Sequence, residues 1–219
     1  MFDGVGGLVR AGKSCSAMIT HVINVLMLGK ASVLKLLCYA SDLPSGVRQG
    51  QLPGACEQVA CALDGQKVVD FLPSSSHLLY YYASDVALPA SNAHCTQVED
   101  ALQDRHYGVW AGRSLRDMSA AEQLSFLSDP AFAPPEGESF SAFCRRTTQW
   151  LQAVGQMAQP AVVLARPAVV RSLVTHVLYP AEGSVTMAHA ARVDVQPGSY
   201  SLLTCHAGQW RVGMLNAPA

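Results

Sequence analysis

Three apolar segments of strand length, separated by stretches with helical spacing, limit this chain to a small set of folds. They are Ser32–Ala40, His77–Ala83 and Ala161–Ala165, and apolar runs of this length are typical of strands buried on both faces. Between the first two, apolar residues recur at helical spacing over Gly54–Leu63. Because a strand, a helix and a second strand form a βαβ unit, the sequence predicts an α/β three-layer sandwich, with a mostly parallel central sheet and helices on both faces.

The remaining elements are predicted from caps, periodicity and turn residues. The ligand site of such a sheet is expected beyond the C-terminal ends of its central strands. Helices are predicted over Ser119–Leu127, Ser139–Met157 and Ala168–Leu178, and edge strands over Arg192–Val195, Tyr200–Thr204 and Trp210–Leu215, with turns at Pro197–Gly198 and Ala207–Gly208.

The start of the chain is predicted to be an N-terminal extension, residues 1–30, ahead of a single domain over residues 31–219. Glycines interrupt its first part, and a helix-like run follows from Ser16 to Leu28. That run is shorter than the ~18 apolar residues that a membrane-spanning helix needs, and no small-residue cleavage pattern follows it. The sequence therefore predicts no membrane segment.

The composition argues against several classes of function. The chain has 15 basic and 16 acidic residues and a formal net charge of −1, so we expect no nucleic-acid partner that binds by phosphate neutralisation. Its seven cysteines are scattered, which indicates neither a disulfide framework nor a zinc site. We therefore expect a cytoplasmic protein with mostly buried cysteines and without a metal or other cofactor.

Several weak motifs follow one another in a familiar order. Leu102–Arg113 is similar to a Leu-x-Glu-x-x-Phe/Tyr-Gly-x-Trp-x-Gly-Arg pattern, and Pro134–Ser139 to Pro-Pro-Gly-Gly-Glu-Ser. Tyr82–Ala93 and Ala161–Arg171 match two further segments, Ser-Pro-x-x-Arg-Ala-x-Gln-Thr-Ala and Val-x-Val-Val-Thr-His-Gly-Gly-Val-Ile-Arg. Over about residues 33–216 the chain resembles the histidine phosphatase (phosphoglycerate mutase-like) superfamily, closest to its alpha-ribazole phosphatase-type branch.

The resemblance implies a site for phosphoryl transfer. In the family a first histidine attacks the phosphoryl group, two arginines and a second histidine hold its oxygens, and a glutamate or aspartate protonates the leaving oxygen. In this chain the matching positions are Tyr39 for the first histidine, Cys38 and Leu88 for the arginines, Arg166 for the second histidine, and Asp104 for the acid.

These replacements remove most of the groups on which the family's reaction depends. A phenol with a pKa of ~10 is a poor nucleophile at neutral pH, and Leu88 offers no donor in place of a guanidinium. We therefore expect a pseudophosphatase that binds a small phosphorylated ligand or a protein partner without efficient hydrolysis. Its predicted ligand-binding residues are Tyr39, Ser41, Asp104, His106 and Arg166.

Two other functions stay open at this level. A divergent phosphomonoesterase, like an alpha-ribazole phosphatase or a phosphoglycerate mutase-like hydrolase, would use Asp104, His106 and Arg166 in a rebuilt site. Convergence of these side chains on one accessible pocket would favour it. A structural subunit would instead pack its apolar N-terminal segment on another chain, for example in a homo-oligomer.

Three details have their own interpretations. Arg166 either binds an anion or pairs with Asp104 or another surface carboxylate. Leu8–Ser14 is a competing match to the family's Arg-His-Gly segment, which is otherwise matched by Leu37–Ala40 at the end of the first predicted strand; it has Ala11 at the nucleophile and lies too far from the motifs that follow. His176, in the predicted helix after the third apolar run, is expected to be a packed helix histidine.

Overall fold

The computed structural model describes residues 33–54, 58–72, 78–87, 96–157, 159–180 and 186–219. From Val33 onward the chain forms one compact unit. The predicted extension over residues 1–30, including the run Ser16–Leu28 and the competing motif Leu8–Ser14, lies outside the described residues. The boundary near residue 30 therefore stays a prediction.

The predicted α/β fold is confirmed. The strands are β1 (Leu34–Ala40), β2 (Val59–Ala60), β3 (Leu79–Tyr82), β4 (Val86–Ala87), β5 (Thr96–Val98), β6 (Ala161–Ala165), β7 (Ser199–His206) and β8 (Gln209–Pro218). Six of them form a sheet in the order β5-β3-β6-β1-β7-β8. Neighbours from β5 to β1 are parallel, whereas β7 and β8 run antiparallel. β2 and β4 form a separate parallel pair.

The helices predicted from caps and periodicity are confirmed to within a few residues at each end. Ser119 begins its helix with a capping box, in which its side chain accepts from the Glu122 N–H and its own N–H donates to the Glu122 carboxylate. The α-helices are α1 (Ser45–Arg48), α2 (Gly65–Phe71), α3 (Ala120–Ser128), α4 (Phe140–Val154), α5 (Pro167–Leu178) and α6 (Met187–Ala190), and 3₁₀ turns cover Asp100–Leu102, Gly108–Trp110 and Leu115–Asp117.

The core lies around the central strands. All five residues of β6 are buried, as the unbroken apolar run predicts for a strand with neighbours on both sides. Helix α5 packs against α4 and contacts β1. The cysteines within the described ranges, Cys38, Cys61, Cys144 and Cys205, are free and buried. Across the described ranges, no helix combines the length and apolar character needed to cross a membrane.

The helix predicted over Gly54–Leu63 is wrong for its described part. Instead, Val59–Ala60 forms β2, and the Val59 N–H donates to the carbonyl of Asp85 at 3.1 Å. The helix of this region begins later, because the Asp64 side chain accepts a hydrogen bond from the Gln66 N–H and caps α2. A β-branched residue with a strand partner outweighed the helical spacing.

The edge strand predicted over Arg192–Val195 is also wrong. Its alternation reflects burial alone, since Val193 and Val195 are buried while the residues between and beside them are exposed. The Asn216 side chain takes the place of a partner strand by donating to the Asp194 carbonyl at 2.8 Å and accepting from the Gln196 N–H at 2.9 Å. The strands predicted over Tyr200–Thr204 and Trp210–Leu215 are present as β7 and β8, but only β8 is an edge strand, because β7 pairs with β1 on its other side. The turn at Ala207–Gly208, which has two positive φ angles of 49° and 76°, matches the prediction.

Candidate functional site

The candidate site lies at the carboxyl edge of the sheet, where parallel strands β3, β6 and β1 end side by side. Ala40 is level with Ala165 in the register of β1 and β6. The residues that follow are therefore neighbours, and the Ser41 N–H donates to the Ala165 carbonyl at 2.9 Å. Arg166 follows β6 directly, and Asp85 follows β3 by three residues. Polar side chains from two strand ends thus meet at one edge, as the α/β fold predicts.

Arg166 and Asp85 form a buried ion pair. The guanidinium Nε of Arg166 lies 2.8 Å from Oδ2 of Asp85, and the side chains are 2% and 14% exposed. The same Oδ2 accepts a hydrogen bond from the backbone N–H of Asp104 at 3.3 Å. Arg166 thus contacts a carboxylate, as one of its two interpretations predicts, but that carboxylate is the largely buried Asp85 and does not lie on the surface.

The Asp104 carboxyl completes a cluster of three charged groups. Burial raises its pKa from 3.8 to about 6, and the nearby Asp85 carboxylate adds to the increase. Three groups oppose it: the Arg105 N–H, which donates to Asp104 Oδ1 at 2.7 Å, the guanidinium of Arg166, and that of Arg146. A carboxyl with such a pKa holds a proton in a fraction of molecules at neutral pH, which suits a proton donor.

The raised pKa of Asp104 predicts a pH-dependent stability. Because the folded state binds this proton more tightly than the unfolded chain, stability falls as the pH rises from about 4 to about 6. Above pH 6, we expect Asp104→Asn to be more stable than the wild type by about 1–2 kcal/mol. The full shift corresponds to about 3 kcal/mol, which we reduce because the side chain is partly exposed.

Urea denaturation of both proteins between pH 3.5 and 8 measures this difference. Asp70→Asn, at an exposed position of α2, is the control for the same change in charge. A stability difference between Asp104→Asn and the wild type that does not vary with pH would contradict the raised pKa.

Asp104, Asp85 and Arg166 line a cavity of about 550 Å³. Its volume lies within the range of small-molecule sites. The rest of the lining is predominantly polar, with Ser84, Gln58, Gln103, Arg105, His106, Tyr107, Pro53 and Gly54. An adjoining cavity of about 460 Å³ shares Asp104, Tyr107, Pro53 and Arg166, but is otherwise lined largely by leucine, valine, proline and alanine side chains.

The loop that carries Asp104 is fixed by two arginines. Arg105 is 7% exposed and donates through Nε to the Glu138 carbonyl at 2.8 Å and through Nη2 to the Phe132 carbonyl at 3.3 Å. Arg146 of α4 holds both oxygens of the Glu138 carboxylate at 2.8 and 2.9 Å, and it donates to the Asp104 carbonyl at 3.0 Å. Both guanidinium groups thus position the backbone of this loop.

Of the predicted ligand-binding residues, the structure brings Asp104, His106 and Arg166 together. His106 is exposed, and its Nδ1 lies 3.0 Å from the Glu136 carbonyl. Because a carbonyl oxygen only accepts, Nδ1 is the donor in this contact.

Tyr39 and Ser41 lie elsewhere. Both are buried, at 1% and 0% exposure, and neither is among the lining residues of the two cavities. The Tyr39 ring packs on Tyr200 with centroids 5.0 Å apart. Burial and the neighbouring Cys61 raise the pKa of Tyr39 to about 12, so the phenol is further from ionisation than a free tyrosine. The Ser41 hydroxyl donates to the Asp42 carbonyl at 3.2 Å.

The other sequence-derived positions are placed as follows. Cys38 is fully buried, and burial raises its pKa to about 12. Leu88 lies outside the described residues. His176 lies in α5, partly buried, and burial lowers its pKa. Within the described ranges, no three His, Cys, Asp or Glu side chains are grouped so as to hold a metal ion.

Asp85 is the site residue that the sequence reasoning missed. It was visible within the motif Tyr82–Ala93, where it occupies the position of the family's proline. The available signal was a charged residue three residues after β3, the strand next to the one that ends at Arg166. Only the strand order of the sheet makes those two ends neighbours.

Comparison with known proteins extends these observations. A candidate alpha-ribazole-5′-P phosphatase of Escherichia coli K-12 is similar in structure, with 18% identity, a TM-score of 0.66 and an overlap that covers 85% of this chain and 97% of that one. The alpha-ribazole phosphatase of Shigella flexneri has 16% identity, a TM-score of 0.64 and an overlap of 84% of this chain and 96% of that one. A mycobacterial glucosyl-3-phosphoglycerate phosphatase has 17% identity, a TM-score of 0.58 and an overlap of 85% of this chain and 99% of that one. At these identities the likeness shows the fold.

No curated protein matches this chain in sequence. A family model does match: that of the histidine phosphatase superfamily, branch 1, over residues 75–218. This match includes every strand of the six-stranded sheet except β1, and both residues of the Arg166–Asp85 ion pair. The chain therefore belongs to the histidine phosphatase superfamily, branch 1.

Proposed function

We propose that this protein is a pseudophosphatase, which binds a small phosphorylated ligand in the cavity at the sheet edge without hydrolysing it efficiently. One observation carries the proposal: the position of the family's second histidine holds Arg166, whose guanidinium contacts the Asp85 carboxylate inside that cavity. A guanidinium can hold phosphate oxygens, but it does not attack phosphorus.

The residue at the position of the family's nucleophile supports the loss of turnover. Tyr39 is buried in the core, and its pKa of about 12 leaves a negligible phenolate fraction at neutral pH. The proton donor of the family reaction has a plausible counterpart in Asp104, with its pKa of about 6. A proton donor without a nucleophile can bind and polarise an ester, but it cannot form the phosphoryl-enzyme intermediate.

The adjoining apolar cavity supports an organic phosphate as the ligand. Arg166 and Asp104 lie on the lining common to both cavities, so a phosphate held there has space for its organic part next to Leu52, Pro53 and Val195. Apolar walls with a few polar groups are the usual composition of small-molecule sites.

We expect no efficient turnover of phosphomonoesters. Incubation with p-nitrophenyl phosphate and with aryl, sugar and nucleoside monophosphates, between pH 5 and 8, should give rates at least about 10³-fold below the usual enzyme range of about 1–10³ s⁻¹. Thermal shift assays with the same compounds should find at least one that raises the Tm, and Arg166→Gln should remove that increase.

Robust turnover that is lost in Asp104→Asn and Arg166→Gln would refute the pseudophosphatase. If no compound is hydrolysed and none raises the Tm, the proposed ligand site is refuted. A cytoplasmic location and a protein partner stay predictions from the sequence.

One observation favours a second candidate, a divergent phosphomonoesterase. Asp104, His106 and Arg166 line one cavity, and the Nδ1 of His106 lies 3.0 Å from the Glu136 carbonyl. His106→Asn distinguishes the candidates, because it would abolish turnover by a rebuilt site and would leave the binding by a pseudophosphatase largely unchanged.

A further inference from the structure

The Arg166 guanidinium shares the candidate site with a carboxylate of the chain itself. Its Nε lies 2.8 Å from Asp85 Oδ2, which is the spacing of a charge-assisted hydrogen bond to a bound anion. The Asp85 carboxylate thus occupies the place that a phosphate oxygen would take beside the Arg166 guanidinium.

The contacts of Asp85 are unevenly divided between its two oxygens. Oδ2 receives both the Arg166 Nε and the Asp104 N–H. Oδ1 is buried and has no hydrogen-bond partner within the described part of the chain. A buried carboxylate with one unsatisfied oxygen is held less firmly than one with both oxygens satisfied. Such a group can be exchanged for a better acceptor.

We propose that Asp85 is a built-in competitor of anionic ligands, which occupies Arg166 and sets a low affinity of the site for phosphate. The inference rests on the proposed ligand site and adds what limits its affinity. A ligand must displace the Asp85 carboxylate from Arg166 and remain close to it, so the site discriminates against small free anions. It accepts only ligands whose organic part contributes binding in the adjoining cavity.

The test compares inorganic phosphate binding to four full-length proteins by titration calorimetry at pH 7 and constant ionic strength. These are the wild type, Asp85→Asn, Arg166→Gln, and Asp70→Asn as the charge-matched control on exposed α2. We expect Asp85→Asn to bind phosphate at least about tenfold more tightly than the wild type. We expect Asp70→Asn to bind like the wild type, and Arg166→Gln to show no binding.

The outcomes separate this inference from the proposed function. If phosphate and the phosphomonoesters bind neither the wild type nor Asp85→Asn, the ligand site itself is refuted. If a phosphomonoester binds the wild type through Arg166 but Asp85→Asn leaves phosphate affinity unchanged or weaker, the competitor role alone is refuted.

Asp85→Asn also removes a buried carboxylate that Arg166 contacts, and this can destabilise the fold. Thermal melts of the variant in increasing phosphate then provide the second measurement. The competitor role predicts that phosphate raises the Tm of Asp85→Asn more steeply than that of the wild type or Asp70→Asn. Equal slopes for the three proteins would refute it.

Discussion

Replacing Arg146 by methionine is expected to lower the free energy of unfolding by about 3 kcal/mol. Its guanidinium holds both oxygens of Glu138 and the backbone carbonyls of Ala101 and Asp104. The paired side chains are only 25% and 18% exposed. Methionine keeps the apolar stem but leaves the Glu138 carboxylate and two carbonyls without these donors, which is costly for groups withdrawn from water.

Arg48→Met provides the matched control. Arg48 lies 3.7 Å from Asp42, and these side chains are 61% and 52% exposed, so we expect a change within about 0.5 kcal/mol. Urea denaturation at pH 7 measures both variants. Similar losses for the two would show that the Arg146 contacts contribute no more than a surface ion pair. Because Arg146 also anchors the Asp104 backbone, its loss should weaken Arg166-dependent ligand binding as well.

The second large effect is expected at Gly108. This residue has a φ of 55°, and a Cβ added to it would overlap the carbonyl oxygen of Pro135. Gly108→Ala should therefore cost about 3 kcal/mol, from left-handed backbone strain of about 1–2 kcal/mol and from displacement of the Pro134–Glu138 loop. The hydrogen bond from the Val109 N–H to the Pro135 carbonyl, 3.1 Å long, should be lost in that displacement.

Gly112→Ala separates the two contributions. Gly112 has a φ of 77°, and a Cβ added to it would meet no atom within 4 Å, so alanine there should cost only the backbone strain, about 1 kcal/mol. Thermal and urea denaturation of the two variants test the difference. Equal losses of stability in Gly108→Ala and Gly112→Ala would mean that the close approach of Gly108 to the Pro135 carbonyl contributes nothing.

The predictable part of the fold is the part that local chemistry determines. The apolar runs of β1 and β6 have few alternatives to a buried strand, β3 forms a strand of which only Tyr81 is fully buried, and the capping box at Ser119 determines where α3 begins. The errors fall where a distant partner determines the conformation. Val59 donates to Asp85, and Asn216 binds the backbone of residues 194–196.

The candidate site was predictable only in part. Asp104, His106 and Arg166 were identified from motifs, and they line one cavity. The resemblance predicts Tyr39 as a site residue because it stands at the family's first histidine, but the alternation of side chains along β1 directs its ring to Tyr200 in the core. Asp85 was missed because its role depends on which strand ends are neighbours, and sequence order does not give strand order.

The sequence by itself determined the family and the parallel core strands, because these depend on residue identities at fixed spacings. Tertiary structure alone decided that Arg166 pairs with Asp85 and that burial raises the pKa of Asp104 to about 6. The physical reason is that ion pairing and desolvation act between groups brought together by the packing of separate strands, across distances in sequence that no local pattern records.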